Sequence, residues 1–111
     1  ETLISAISYL YENMTDPIDA ETLTKELYTS ENILRVQFKN RLNSSYKQVL
    51  PQFRVRYAEA LLTTTSLPTV DIAIESGFGS DRTMARVFYN INGISPGEFR
   101  KARKLHQKAS K

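Results

Sequence analysis

Two short stretches of this sequence carry most of the side chains that could grip another molecule. Arg82, Thr83, Arg86 and Asn90 fall on one side of a helical pattern whose other side is the apolar stripe Met84, Val87, Phe88 and Ile91. Asn32, Arg35, Val36 and Lys39 recur at i, i+3, i+4 and i+7 and make a second outward stripe, with Ile33, Leu34, Phe38 and Leu42 expected to face inward. Guanidinium forks, amides and hydroxyls are binding groups, suited to anions and planar acceptors rather than to breaking bonds.

Bond-breaking chemistry is poorly provided for. The chain has no cysteine, which excludes disulfides, thiolate metal sites and cysteine nucleophiles. His106 is the single histidine and lies in a basic tail, so neither a triad nor a histidine metal site can be assembled, and it is expected to be a solvent-exposed tail residue. The carboxylate pairs Asp16 with Asp19 and Asp71 with Glu75 suit helix starts or surface faces better than a catalytic dyad. No catalytic residue, metal or cofactor is expected, and the chain is not read as an enzyme. Phe38, Phe78, Phe88 and Phe99 sit at core positions, which argues against aromatic platforms for single-stranded nucleic acid.

Charge is unevenly divided. Residues 1–31 hold seven acids against Lys25 alone, whereas residues 32–111 hold fourteen bases against five acids, within a net charge of +3. Such separation suits an anionic polymer approached by one side of the molecule. Charge alone describes a solvated surface equally well.

The elements that must position these stripes can be read in order. At 111 residues the chain is one domain or two very small ones, and its scattered β-branched residues favour an all-helical fold. No apolar run reaches the roughly 18 residues of a membrane span. The chain opens at Glu1 without a signal pattern and is taken as a fragment of a longer soluble protein. Leu3, Ile4, Ile7, Leu10, Tyr11 and Met14 predict a first helix to about Asn13, closed by Pro17. Asp19 then caps a second helix with Leu23 and Leu27, and Thr29-Ser30 turns into a third from Glu31 to Leu42. Phe53, Tyr57, Ala60 and Leu61 predict a linking helix with Arg54, Arg56 and Glu59 on its polar side. Pro51 is expected to break it from Ser45 to Leu50.

From Ile72 to Phe99 the pattern is that of a helix-turn-helix. Gly77 can take the positive φ that ends a helix, Phe78 plugs the corner and Ser80 caps the next helix. Ser95-Pro96-Gly97-Glu98 is a capping box with proline at the first helical position, and Phe99 anchors the last helix. The basic run from Arg100 onward is expected to fray. This arrangement occurs twice: Ser30, Leu34, Phe38, Asn43, Ser45 and Val49 are matched fifty positions later by Ser80, Met84, Phe88, Gly93, Ser95 and Phe99. Before the turn the offset drops by one, pairing Leu23 with Ile72.

With Leu34 to Lys39, RVRYAEALL at Arg54 to Leu62, DIAIESGF at Asp71 to Phe78, RVF at Arg86 to Phe88 and GISPGEFR at Gly93 to Arg100, the chain resembles the DNA-binding domain of the AraC/XylS family of bacterial transcription regulators, over about Ile18 to Arg100. The resemblance implies two homeodomain-like helix-turn-helix subdomains, residues 3–50 and 67–109, joined by a linking helix at 51–66, with about seven helices in all. Each subdomain would place a recognition helix, about 31–42 and 81–91, in successive major grooves of double-stranded DNA, one turn or roughly 34 Å apart.

By position, the family's base-reading sites fall on Asn32, Arg35, Val36, Asp81, Arg82, Thr83 and Arg86. Arg82 or Arg86 could fork onto guanine, Asn32 could read adenine and Val36 could touch a thymine methyl, while Asp81 fits its own helix start better than a cytosine. Ser30, Lys39, Lys47, Ser80, Arg100 and Lys101 are expected at phosphates.

Three departures weaken the first copy: Val36 stands where many relatives have arginine, Thr24 replaces a close-packed alanine that Ala73 keeps, and Pro51 interrupts a usually longer helix. The family also implies a cytoplasmic regulator with an N-terminal ligand-binding or dimerisation domain. The alternative is a protein-interaction module that docks RNA polymerase or a partner domain through Asp16, Asp19, Glu21 and Glu26.

Salt separates the two readings. Binding to labelled duplex should weaken linearly in log K against log salt as counterions are released. Absence of duplex binding at low salt would leave the interaction module standing.

Overall fold

The computed structural model describes the backbone of residues 1–109 and side chains as far as Lys104, so the expectation for the His106 side chain lies outside the described residues. The described residues form seven α-helices and no strand: α1 Thr2–Glu12, α2 Ala20–Glu26, α3 Glu31–Leu42, α4 Tyr46–Thr64, α5 Thr69–Glu75, α6 Asp81–Asn92 and α7 Pro96–Ala109. The chain divides into two compact units, one ending at Phe53 and the other beginning at Arg54. No described helix is long and apolar enough to cross a membrane.

The first unit comprises α1, α2, α3 and the opening turns of α4. Asp19 caps α2 by accepting the Thr22 N–H at 2.8 Å, and that bond holds its carboxyl below the usual aspartate value. Leu3, Ala6, Leu10, Leu23, Leu34, Phe38 and Leu50 form the core. Ile4 and Tyr11, expected inside, are each 60% exposed, and the small Ala6 is buried in their place. Tyr11 keeps an edge-on contact with Phe53 at 5.6 Å. Glu1 and Arg41 form an ion pair between the start of α1 and the end of α3.

Ile33 and Leu42 also depart from the inward stripe assigned to them, at 47% and 45% exposure. The third helix buries one narrow line, Leu34 and Phe38. At roughly 100° of rotation per residue, Ile33 falls to one side of that line and Leu42 to the other.

Pro51 does not break α4, which is one helix from Tyr46 to Thr64 with the proline inside it. The ring already has a helical φ and forfeits one bond, that to the Lys47 carbonyl. Leu50 and Val55, on either side, are both buried, so the flanking turns are held in place by packing. The Gln52 side chain donates through Nε2 to the Gln48 carbonyl at 3.1 Å. The apolar face expected on this helix is also shifted. Val55, Ala58 and Leu62 are buried, whereas Tyr57 and Ala60 are exposed. The reason is that Phe53 packs in the first unit and the residues from Val55 onward in the second, so two faces overlap in the sequence.

In the second unit Val55, Ala58, Leu62, Ile72, Ala73, Met84 and Phe88 form the core, with Phe78, Val87 and Phe99 packed against it. Phe88 and Phe99 meet edge-on at 5.5 Å. Ser76 is fully buried and donates its hydroxyl to the Ile72 carbonyl at 2.6 Å. The expected fraying after Arg100 is not seen, since α7 continues to Ala109. The Ser95 and Glu98 side chains each accept the other's backbone N–H, closing the capping box. Arg103 lies 5.2 Å from the Phe99 ring centre, and the remaining lysines, arginines and alanine are strong helix formers.

Pro51→Ala restores the missing donor without disturbing either core. An interior proline costs about 3 kcal/mol, less up to about 1 kcal/mol for the stiffer unfolded chain, so a gain of about 2–3 kcal/mol is expected. Thermal melts should show the midpoint rising by several degrees; a fall would mean that the proline is needed where it stands.

Candidate nucleic-acid interface

The two helix-turn-helix units close their turns with the same backbone bonds. In the first, the Tyr28 N–H donates to the Lys25 carbonyl at 3.3 Å and the Thr29 N–H to the Thr24 carbonyl at 3.1 Å. In the second, Gly77 donates to Ile74 at 3.1 Å and Phe78 to Ala73 at 2.9 Å. This pair of bonds ends a helix on a residue of left-handed conformation. Gly77 supplies it at φ 89°, as its residue type suggests, and Tyr28 supplies it at φ 52°. Tyrosine gives no such signal; only the 49-residue offset that pairs Tyr28 with Gly77 could have found it.

A serine then starts the second helix of each pair, α3 and α6. Ser30 Oγ accepts the Ile33 N–H at 3.2 Å and Ser80 Oγ the Thr83 N–H at 3.1 Å. The Ser80 hydroxyl also donates to Thr83 Oγ1 at 3.0 Å, so its proton is directed at its own helix. Asp81 accepts from the Thr69 hydroxyl at 3.4 Å and lies in the first turn, where a carboxylate suits the helix dipole.

On α3, Asn32, Arg35, Val36 and Lys39 are all exposed, with Val36 at 40%. Arg35 donates through Nη2 to Asn32 Oδ1, so these two are joined to each other. Lys39 donates to Asn43 Oδ1 at 2.8 Å. Beside them opens a pocket of about 190 Å³ with Leu34 and Phe38 in its wall and Glu31, Arg35, Tyr46 and Lys47 around it. Burial, reinforced by Glu31 and Asp19, raises the Tyr46 pKa and keeps the phenol neutral.

On α6, Arg82 and Arg86 are exposed, and among the described residues neither forms an ion pair or a side-chain hydrogen bond. Thr83 is half-buried and engaged with Ser80. The far end of this helix is anchored. Asn92 donates to Glu59 Oε2 at 2.9 Å, and Arg56 reaches the same oxygen at 2.5 Å. Sequence reasoning placed Glu59 on a polar face and did not foresee that it ties α4 to α6.

Arg100, expected at a phosphate, is engaged within the fold. Its Nε donates to the Leu62 carbonyl at 3.1 Å and its Nη2 to the Thr65 carbonyl at 3.3 Å. The hydroxyls of Thr63, Thr64 and Thr65 take neighbouring carbonyls of the same turn. Of the carbonyls that the end of α4 leaves without a helical partner, that of Leu62 is satisfied by Arg100, while the threonine hydroxyls add second bonds to carbonyls one turn back. Arg100 is thus a strap between α7 and α4, whereas Lys47 and Lys101 are exposed.

A family model described as a helix-turn-helix domain matches residues 23–102. The chain is 38% identical over 84 residues to the ornithine utilization regulator of Pseudomonas aeruginosa, covering 76% of this chain and 24% of that protein. It is 32% identical over 101 residues to the transcriptional activator RhaR of Escherichia coli K12, covering 90% of this chain and 36% of that one. It therefore spans about a quarter to a third of the length of these relatives. Among solved structures it resembles the DNA-binding domain of the global transcriptional factor AdpA in complex with a target DNA, at 26% identity, TM-score 0.89 and 97% coverage of each chain. A transcriptional regulator with an AraC-type DNA-binding domain from Chromobacterium violaceum gives 26% identity and TM-score 0.85 over 92% of this chain and 91% of its own.

Arg100→Ala and Lys101→Ala should behave differently. Loss of the strap should destabilise the domain by about 1 kcal/mol, since two partly exposed carbonyls lose a charged donor. Lys101→Ala should leave the melting midpoint unchanged and lower the salt slope of duplex binding by about one unit. Equal melting of the two variants would show that the Arg100 bonds carry no stability.

Proposed function

Since the chain belongs to the AraC-type helix-turn-helix family, the sequence-specific DNA-binding domain of a transcription regulator, we propose that α3 and α6 read double-stranded DNA in successive major grooves and that α6 dominates the choice of sequence. The observation that carries the reading is the pair Arg82 and Arg86, four residues apart, exposed, and without a partner among the described residues. Spacing of i, i+4 projects both from one face, and each fork matches the O6 and N7 acceptors of guanine. A second duplex turn lies roughly 34 Å away, which is the separation the two reading helices must reach.

Arg82 and Arg86 read bases, with Thr83 between them held to the cap and Asp81 supporting the helix start. Asn32, Arg35 and Val36 read through α3 more weakly. Asn32 must accept from adenine N6 through the same oxygen that Arg35 occupies, so that bond has to open or be shared on binding. Lys39, Lys47 and Lys101 contact phosphates, as does the Ser30 hydroxyl, whose oxygen caps α3 and whose proton is available to donate. Ser80 acts chiefly as a cap.

The longer relatives support placing this domain in a larger cytoplasmic regulator with a ligand-binding or dimerisation portion. Contact with RNA polymerase would use Asp16, Asp19, Glu21 and Glu26, all of them exposed, and it is compatible with DNA binding by the reading helices.

Arg86→Ala should reduce specificity more than Arg35→Ala, measured as the ratio of cognate to scrambled duplex affinity at one fixed salt concentration. A lost bidentate contact removes roughly 1–3 kcal/mol of discrimination at one base pair. Equal ratios, or a greater loss for Arg35→Ala, would overturn the ranking.

A further inference from the structure

Tyr28 occupies the left-handed position of the first turn at φ 52° and is 97% exposed. A Cβ in this conformation crowds the backbone, and bulky residues adopt it rarely. Gly77 meets the same requirement at no steric cost, and Asn43 takes a left-handed φ of 49° at the end of α3. Folding does not account for the tyrosine. Its ring buries almost nothing, and among the described residues its side chain makes no hydrogen bond or ring contact. The first turn therefore holds a strained aromatic where the second holds glycine, with no compensating interaction inside the domain.

Tyr28 stands two residues before Ser30, at the N-terminal end of α3, the end that approaches base edges in a helix-turn-helix. Resting on the DNA reading of α3, we propose that Tyr28 is a DNA-backbone contact: its hydroxyl donates to a phosphate oxygen and its ring lies against the neighbouring deoxyribose. The contact sets the register in which α3 meets its groove. Tyrosine hydroxyls make such contacts, which position a protein without reading sequence. A protein-docking aromatic is typically ringed by apolar neighbours, whereas Lys25, Glu26 and Ser30 around Tyr28 are exposed and polar.

Three variants of the 111-residue chain test this. Tyr28→Gly and Tyr28→Asn remove the ring and relieve the backbone; Tyr28→Phe keeps ring and strain and loses the hydroxyl alone. The probes are a duplex selected from random sequence by the wild-type chain and a scrambled duplex, each titrated at several salt concentrations, with thermal melts alongside. The glycine and asparagine variants should melt several degrees higher and bind both duplexes about tenfold more weakly. Their salt slope should match the wild type, because a neutral phenol releases no counterion. The phenylalanine variant should fall between, with an unchanged melting midpoint.

Unaltered affinity in the glycine and asparagine variants would overturn the tyrosine contact while leaving DNA binding by α3 and α6 intact. So would a loss confined to one base pair, or a loss that accompanies a lowered midpoint. Reduced transcription with duplex affinity retained would assign Tyr28 to a protein partner instead and equally overturn the contact. Failure of the wild-type chain to bind any duplex would remove the DNA reading itself.

Discussion

The positions of α3 and α6 each depend on a backbone constraint in the turn before the helix. A left-handed residue closes the preceding helix through two carbonyls, and a serine opens the next by accepting an N–H from its first turn. Between the left-handed residue and the serine lie one residue in the first turn, Thr29, and two in the second, Phe78 and Gly79, the latter at φ 81°. That extra residue is the reason the repeat offset is 49 before the turn and 50 after it. The turn lets α2 and α3, or α5 and α6, share one small core while their outer faces differ completely.

The two units satisfy this constraint with different buttresses. In the second, Glu59 receives both Asn92 and Arg56, Arg100 closes the end of α4, and Phe99 packs on Phe88. Each links α4 to an element that surrounds the reading helix, or seals that helix against α7. The first unit has the Glu1 and Arg41 ion pair, both partners substantially exposed, and a left-handed tyrosine in its turn. Exposed ion pairs contribute little to stability. Side-chain bonds on the reading surfaces differ in the same sense. Asn32 and Arg35 are joined to each other, whereas Arg82 and Arg86 are exposed and have no side-chain partner among the described residues.

Charge placement obeys the helix dipoles. The acids Glu31 and Asp81 lie in the first turns of α3 and α6, and Lys39 and Arg41 in the last turn of α3, each complementing its end of the helix. Some formal cations are committed within the fold: Arg41 to Glu1, Arg56 to Glu59, and Arg100 to the carbonyls of α4. The cations left on the surface, Lys47, Arg82, Arg86 and Lys101 among them, supply the field that an anionic duplex would meet.

The sequence by itself determined the helical order, the duplicated helix-turn-helix, the Ser80 cap, the capping box and the outward stripes on α3 and α6. These are local properties: hydrophobic period, cap residue types and spacing act within a few turns of chain. Tertiary structure decided what depends on a distant partner. It kept α4 continuous through Pro51, because packing of Leu50 and Val55 outweighs one missing bond. It buried Ala6 while leaving Ile4 and Tyr11 outside, and it turned Ile33 and Leu42 outward because α3 has only one narrow contact line. It converted Arg100 from a free cation into a strap and gave Glu59 two partners. Tyr28 lies between the two cases. Its conformation is imposed by a local turn, but a tyrosine side chain carries no local preference for it, so only the closed backbone bonds of the folded turn reveal it.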